Sequence, residues 1–270
     1  MLCLAGILYY LKGKETAAAG LFVFAAFIKV YPVFFLIWII IRGSVRTSVI
    51  ITVFVLLFLF VPIVNRGFER GTADIKDYYT SFLQPFKDGR IEPQFHNHSL
   101  SSAIFKAFQP SNEGDGFDYR LFNVSIETTN YIYKASFLLL FGMMVFIIGR
   151  NRYRKQTATV YELSVVFLAM LLLCGITWEY HLVTMLFVYM SLITMNTGDM
   201  SKRCVYLRGF FLFCAGALAL IGRDTVGDRL FHYFGGYNSL TILMLGLMLF
   251  FFFFDGFNKN PNRLAKQVSL

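Results

Sequence analysis

The chain has 270 residues, 57% of them hydrophobic, 18% aromatic and only 15% charged, against roughly 25% charged in an ordinary soluble domain. A soluble globular fold is excluded, because the apolar residues are gathered into uncharged blocks such as residues 47–64 and 237–254, and blocks of that length and composition are membrane spans. The formal net charge of +9 does not point to nucleic acid: 14 of the 25 Lys and Arg lie in short segments between or after apolar blocks, the positive-inside pattern of a multi-span protein rather than a basic binding face.

In chain order, residues 1–11 are apolar but too short to cross a bilayer, and they carry no charged leader. They read as the tail of a helix whose start lies upstream, so the chain is expected to match only the later part of a longer fold. Residues 17–28 and 30–41 follow, separated by Lys29 and Pro32. As one helix they would put Lys12/Lys14 and Arg42/Arg46 on opposite faces of the membrane. As two half-helices they return both basic ends to the cytoplasm, and Pro32 supplies the break because it cannot donate to a helical bond and pushes Tyr31 toward an extended conformation. Residues 47–64 then run outward, and residues 135–149 run inward to the cluster Arg150, Arg152, Arg154 and Lys155. Four further segments follow, at 163–177, 180–196, 209–222 and 237–254, ending in a basic tail with Lys259, Arg263 and Lys266.

These segments predict an all-α integral membrane protein, a single polytopic domain over residues 1–270. Its expected features are a multi-span helical bundle with a broken half-helix pair, a cytoplasmic C-terminus and one long outer loop over residues 65–134. That loop has nine acidic and eight basic residues. Its prolines at 85, 93 and 110 and its polar stretch at 111–116 read as turns, and Asp74 and Asp77 read as the exposed face of a loop helix. Arg223, Asp224, Asp228 and Arg229 read as solvated loop pairs. The four cysteines lie in or beside apolar blocks with no metal spacing, as small core residues do.

Three groups of residues carry potential chemistry. Lys29 is the one ionisable side chain in a 25-residue apolar stretch. A lysine at the bilayer centre costs about 2.5 to 3.5 kcal/mol on insertion scales, so it marks a functional site unless it snorkels from a short half-helix. His96-Asn97-His98-Ser99-Leu100 precedes the apolar-spaced Ile104, Phe105 and Phe108, and Asn97 or Ser99 suits a helix N-cap there. The same polar cluster suits hydrogen bonding to a sugar or phosphate. Zinc would need a third ligand such as His181 or Glu92, and the spacing is not a zinc pattern, so no metal is expected. Trp178-Glu179-Tyr180-His181 lies where two apolar segments meet: the aromatics fit an interfacial belt, while Glu179 and His181 fall on the predicted side of the Lys29 apex. A non-enzymatic multi-span protein, a transporter or a structural subunit, remains the alternative class.

At these residues the sequence resembles the membrane glycosyltransferases of family 87, in the type C superfamily. Residues 26–32 (Ala-Phe-Ile-Lys-Val-Tyr-Pro) resemble that family's A-x-x-K-x-Y-P segment, residues 97–100 its N-x-S-L loop, and residues 177–181 its S-W-x-x-H turn, with Thr177 in place of the usual Ser. The resemblance implies transfer of a hexose, mannose, from a polyprenyl-phosphate donor to a lipid or glycan acceptor on the outer face of a bacterial plasma membrane, with inversion and a carboxylate base. It implies no cofactor. It makes Lys29, Tyr31, Asn97, His98, Ser99 and His181 substrate-binding residues, and places the family's catalytic Asp in a first outer loop upstream of Met1, leaving Glu179 as the one acidic residue near the proposed cavity.

Overall fold

The computed structural model describes residues 1–84, 96–110, 119–195, 201–221 and 223–257. Glu92, Pro85, Pro93, the 111–116 stretch and the basic tail at 259–266 lie outside them. Among the described residues the chain is all-helical, with twelve α-helices and no strand. The protein is an integral membrane protein by composition and by its helices. Two of them, α4 (Val45–Arg66) and α7 (Ile126–Tyr153), are long and apolar enough to cross a membrane alone, and the remaining apolar helices are shorter. The chain divides into two compact units, residues 1–90 with 148–155, and residues 91–147 with 156–270.

The first unit is built on α1 (Leu2–Leu11), α2 (Glu15–Ile28), α3 (Val33–Arg42), α4 and α5 (Phe68–Tyr78). The break predicted at Pro32 is present: α2 stops at Ile28, Lys29 is extended, and Pro32 opens α3. With 14 and 10 residues, α2 and α3 reach only about 21 and 15 Å at 1.5 Å per residue, against about 30 Å of hydrocarbon. Their shared core is Ala18, Ala19, Phe22, Val23, Phe35, Trp38 and Ile39, all fully buried. Phe22 stacks on Phe35 at 5.4 Å and meets the edge of Trp38 at 6.1 Å, the offset and edge-to-face geometries that aromatic quadrupoles favour.

Two of the breaks in this unit are closed by side chains. Ser44 caps α4 in a reciprocal box with Thr47, and the Thr47 hydroxyl donates to the Glu15 carboxylate on α2. At the far end of α3, Arg152 donates to the carbonyls of Ile41 (2.6 Å) and Gly43, which the helix itself leaves without partners. A residue of the basic cluster that reads in the sequence as a topology marker therefore also caps a helix.

The loop helix read at Asp74 and Asp77 is present as α5. Gly67, at φ +81°, turns α4 directly into α5, a conformation available to glycine at little cost. Helix α5 folds back so closely that a Cβ on Gly71 would lie 2.4 Å from the Ile63 Cα and 2.8 Å from the Pro62 carbonyl carbon. Asp74, on this helix, pairs with Arg66 at 2.9 Å on the surface.

The second unit holds α6 (Leu100–Phe108), most of α7, α8 (Val160–Leu173), α9 (Met185–Thr194), α10 (Lys202–Ala219), α11 (Arg223–Gly236) and α12 (Ser239–Phe257). Its centre is α8, buried from Tyr161 to Leu173. A helix apolar all round is a core helix, and α8 packs through Phe167 on Phe187 (4.8 Å) and Tyr161 on Phe251 and Phe254. The 163–177 segment is thus helical only to Leu173, and residues 174–178 are non-helical. Helix α7 begins at Ile126 rather than at Ala135, because its polar first turns carry Glu127, Thr128 and Asn130 and the apolar pattern cannot reveal them. Arg223, Asp224, Asp228 and Arg229 lie not in a loop but in α11, which a non-helical Gly227 at φ +78° interrupts. All four cysteines are half-buried thiols outside any disulfide.

Because the Gly71 contacts are with backbone rather than with a side chain that can swing away, Gly71→Ala is expected to cost about 1 to 3 kcal/mol, the range for overpacking. Equilibrium unfolding of the detergent-solubilised chain measures it.

Candidate functional site

The site in the second unit begins with the non-helical segment after α8. Backbone without helical bonding in an apolar surrounding needs partners for each N–H and C=O, and here Asn97 supplies two of them. Its Nδ2 donates to the Gly175 carbonyl (3.0 Å), while its Oδ1 accepts from the N–H groups of Thr177 (2.9 Å) and Ser99 (3.1 Å). The His98 N–H donates to the Thr177 carbonyl at 2.7 Å. Ser99 caps α6 by accepting from the Ser102 N–H (3.2 Å) and donates to the Gly175 carbonyl, also at 3.2 Å. The Thr177 hydroxyl donates to the Leu171 carbonyl (2.6 Å), closing the last turn of α8. Either Ser or Thr can make that bond, which accounts physically for the exchange at position 177.

These bonds distribute the polar cluster between two roles. Asn97 and Ser99 are 2% and 0% exposed and their polar atoms are committed to backbone partners. His98 lies between them and turns the other way. Its imidazole is 3% exposed, both ring nitrogens lack a hydrogen-bond partner among the described residues, and it lines a cavity of about 460 Å³. The cavity walls are Leu182, Met185, Leu218, Phe231, Leu243 and Met244, with Glu179, Ser239 and Tyr189 as further polar lining. A mostly apolar pocket of this size with a few converging polar groups is the form that small-molecule sites take.

Burial, reinforced by the charges of Lys106 and His96, pushes the His98 imidazole down to about 3. It is therefore neutral, able to donate one hydrogen bond and accept another, and carries no charge for an anion. Lys106 is a residue that the apolar spacing of α6 does not bring out. Only 4% exposed, it donates to the carbonyls of Asn97 (3.0 Å) and Gly235 (3.4 Å), joining the start of α6 to the end of α11. Thr241 on α12 donates to the His98 carbonyl at 2.8 Å. His98 is thus held through its main chain from two sides while its ring stays free of hydrogen bonds.

At the rim, Glu179 and His96 approach to 3.5 Å with both side chains half exposed, a pairing worth little in water. His181 accepts the Trp178 N–H at Nδ1 (3.0 Å), and its own N–H returns to the Trp178 carbonyl at 2.9 Å. The ring thereby fixes the turn that presents Glu179, and an accepting Nδ1 places the proton of the neutral imidazole on Nε2. Lys29 and Tyr31 belong to the first unit. There Lys29 is exposed at the break between α2 and α3, with its Nζ 5.5 Å from the centroid of the Tyr31 ring, a cation–π distance. Among the described residues no group of three or more His, Cys, Asp or Glu is placed to hold a metal ion.

The family model for glycosyltransferase family 87 matches residues 1–175, a span that includes Lys29, Tyr31 and the 97–100 segment and stops just before Trp178. No curated protein and no solved structure matches the chain.

The neutral His98 has a measurable signature. Its value lies below the ordinary 6.5, so the unfolded chain takes up a proton in the interval where the folded chain does not, and stability falls as pH drops from about 6.5 toward about 3. Between pH 6.5 and 4.5 His98→Gln is expected to flatten the unfolding profile by up to about 1.4 kcal/mol per pH unit relative to the native chain. Denaturant titration at several pH values reads this difference.

Proposed function

We propose, from the premise that this chain belongs to glycosyltransferase family 87, that it moves a hexose, mannose, from a polyprenyl-phosphate donor to a lipid or glycan acceptor at the outer face of a bacterial plasma membrane. Membership carries the coarser statement, a membrane glycosyltransferase with a sugar donor and an acceptor. The single observation that supports the finer reading is His98: a neutral, buried imidazole with two unpartnered nitrogens facing a mostly apolar cavity suits the hydroxyls of a sugar.

The roles divide by charge. A polyprenyl-phosphate leaving group gains negative charge as the glycosidic bond breaks, and a fixed cation stabilises it. Lys29, kept in place by the helix break and by the Tyr31 ring, takes that role. His98 reads hydroxyls, and Asn97 and Ser99 position it by holding the 175–177 backbone. His181 orients the turn that presents Glu179. The reaction also needs a carboxylate to accept the acceptor's proton, and Glu179, at the cavity rim, is the acidic residue in this chain that would serve.

Donor binding tests this assignment. Polyprenyl-phosphate mannose is expected to bind the chain in nanodiscs, and Lys29→Ala to weaken binding about tenfold to a hundredfold, the worth of one hydrogen bond to a charged group. Equal binding of glucosyl and galactosyl donors would remove the mannose assignment, and an unchanged affinity in Lys29→Ala would remove the lysine. The outer-face assignment predicts that a cysteine at Asn112, with the four native cysteines replaced by serine, reacts with an impermeant reagent in intact cells. Labelling only after the inner face is opened would reverse the orientation.

A further inference from the structure

The first unit contains a second cavity, about 850 Å³, running between α2 and the first turns of α4. Its walls are apolar: Phe24, Phe54 and Phe58 line it, with Phe24 stacked on Phe58 at 5.7 Å and the Phe54 ring lying 3.2 Å from a Cβ built on Gly20. One end is charged, and of both signs. Lys14 and Arg46 are exposed there, and neither is in an ion pair among the described residues. Glu15, half-buried in the same lining, accepts from the Thr47 hydroxyl at the N-terminal ends of α2 and α4.

An apolar trough with two cations and one fixed carboxylate at its head is complementary to a molecule with an apolar chain, a phosphodiester and an ammonium. We propose that this groove binds a phospholipid whose head carries a phosphate and a primary ammonium, with the phosphate at Lys14 and Arg46, the ammonium at Glu15, and an acyl chain along Phe24, Phe54 and Phe58. A purely anionic head would leave the Glu15 carboxylate facing like charge, and a quaternary ammonium has no hydrogen to give it. The site is independent of the transferase reading, since none of its residues has a role there.

The test is native mass spectrometry of the full chain released from vesicles of equimolar phosphatidylethanolamine, phosphatidylglycerol and phosphatidylcholine. Phosphatidylethanolamine is expected to be retained in preference to both others. Lys14→Gln and Arg46→Gln should each lower its retention about fivefold, in line with the attraction of one basic residue for a lipid phosphate. Glu15→Gln, which keeps an acceptor for Thr47, should bring phosphatidylethanolamine down to the level of phosphatidylglycerol, and Ala17→Phe, which fills the groove, should abolish retention. Equal retention of phosphatidylcholine, a preference for phosphatidylglycerol, a Glu15→Gln chain that keeps its preference, or no retained lipid at all would each overturn the proposal.

Discussion

The constraint on which this structure depends is the satisfaction of backbone groups wherever a helix stops. Each free carbonyl or N–H at such a break needs a partner, and one shielded from water that lacks it costs several kcal/mol. The chain meets this need with long-range polar side chains. Arg152 closes the end of α3, Arg208 closes the end of α9 by donating to Leu192 (2.6 Å) and Ile193 (2.8 Å), and Asn97, Ser99 and Lys106 hold the non-helical backbone of the candidate site.

That requirement also explains how the site comes to exist. The Asn97 amide ties residues 175 and 177 to the start of α6, and with both of its ends occupied it leaves the neighbouring His98 ring facing the cavity. The local sequence places three polar side chains in succession, and in this extended segment they alternate: Asn97 and Ser99 toward the protein backbone, His98 toward the empty volume. Polar residues that look equivalent in the motif are therefore a clasp and a cavity-facing group. Neutrality follows from the same packing, because the burial that orients the imidazole also removes the water that would solvate its charged form.

Two features of the first unit carry the rest of the functional reading. The Lys29 break leaves a cation beside the Tyr31 ring at a place where α2 and α3 are each too short to span. The α2 and α4 groove has a mixed-charge mouth that the positive-inside pattern alone does not reveal, since that pattern counts Lys and Arg and passes over Glu15.

Much of the architecture was legible in the residues themselves. Uncharged blocks marked the helices, Pro32 marked the break, and the Ser99 hydroxyl ahead of an apolar-spaced run marked the start of α6, because composition, proline and caps act on local backbone. The motif segments also pointed to the family. The helix at Asp74 and Asp77 was legible as well, but its packing through Gly71 on Ile63 was not, and α11 was read as a loop because its charged residues resemble one. What tertiary structure alone decided is the function of each polar atom. Lys106 reaches Gly235 and Thr241 reaches the His98 carbonyl across more than a hundred residues, and Asn97 meets Thr177 across 80. Periodicity and motif spacing describe neighbours along the chain, whereas a hydrogen bond between distant segments depends on the packing that brings them together.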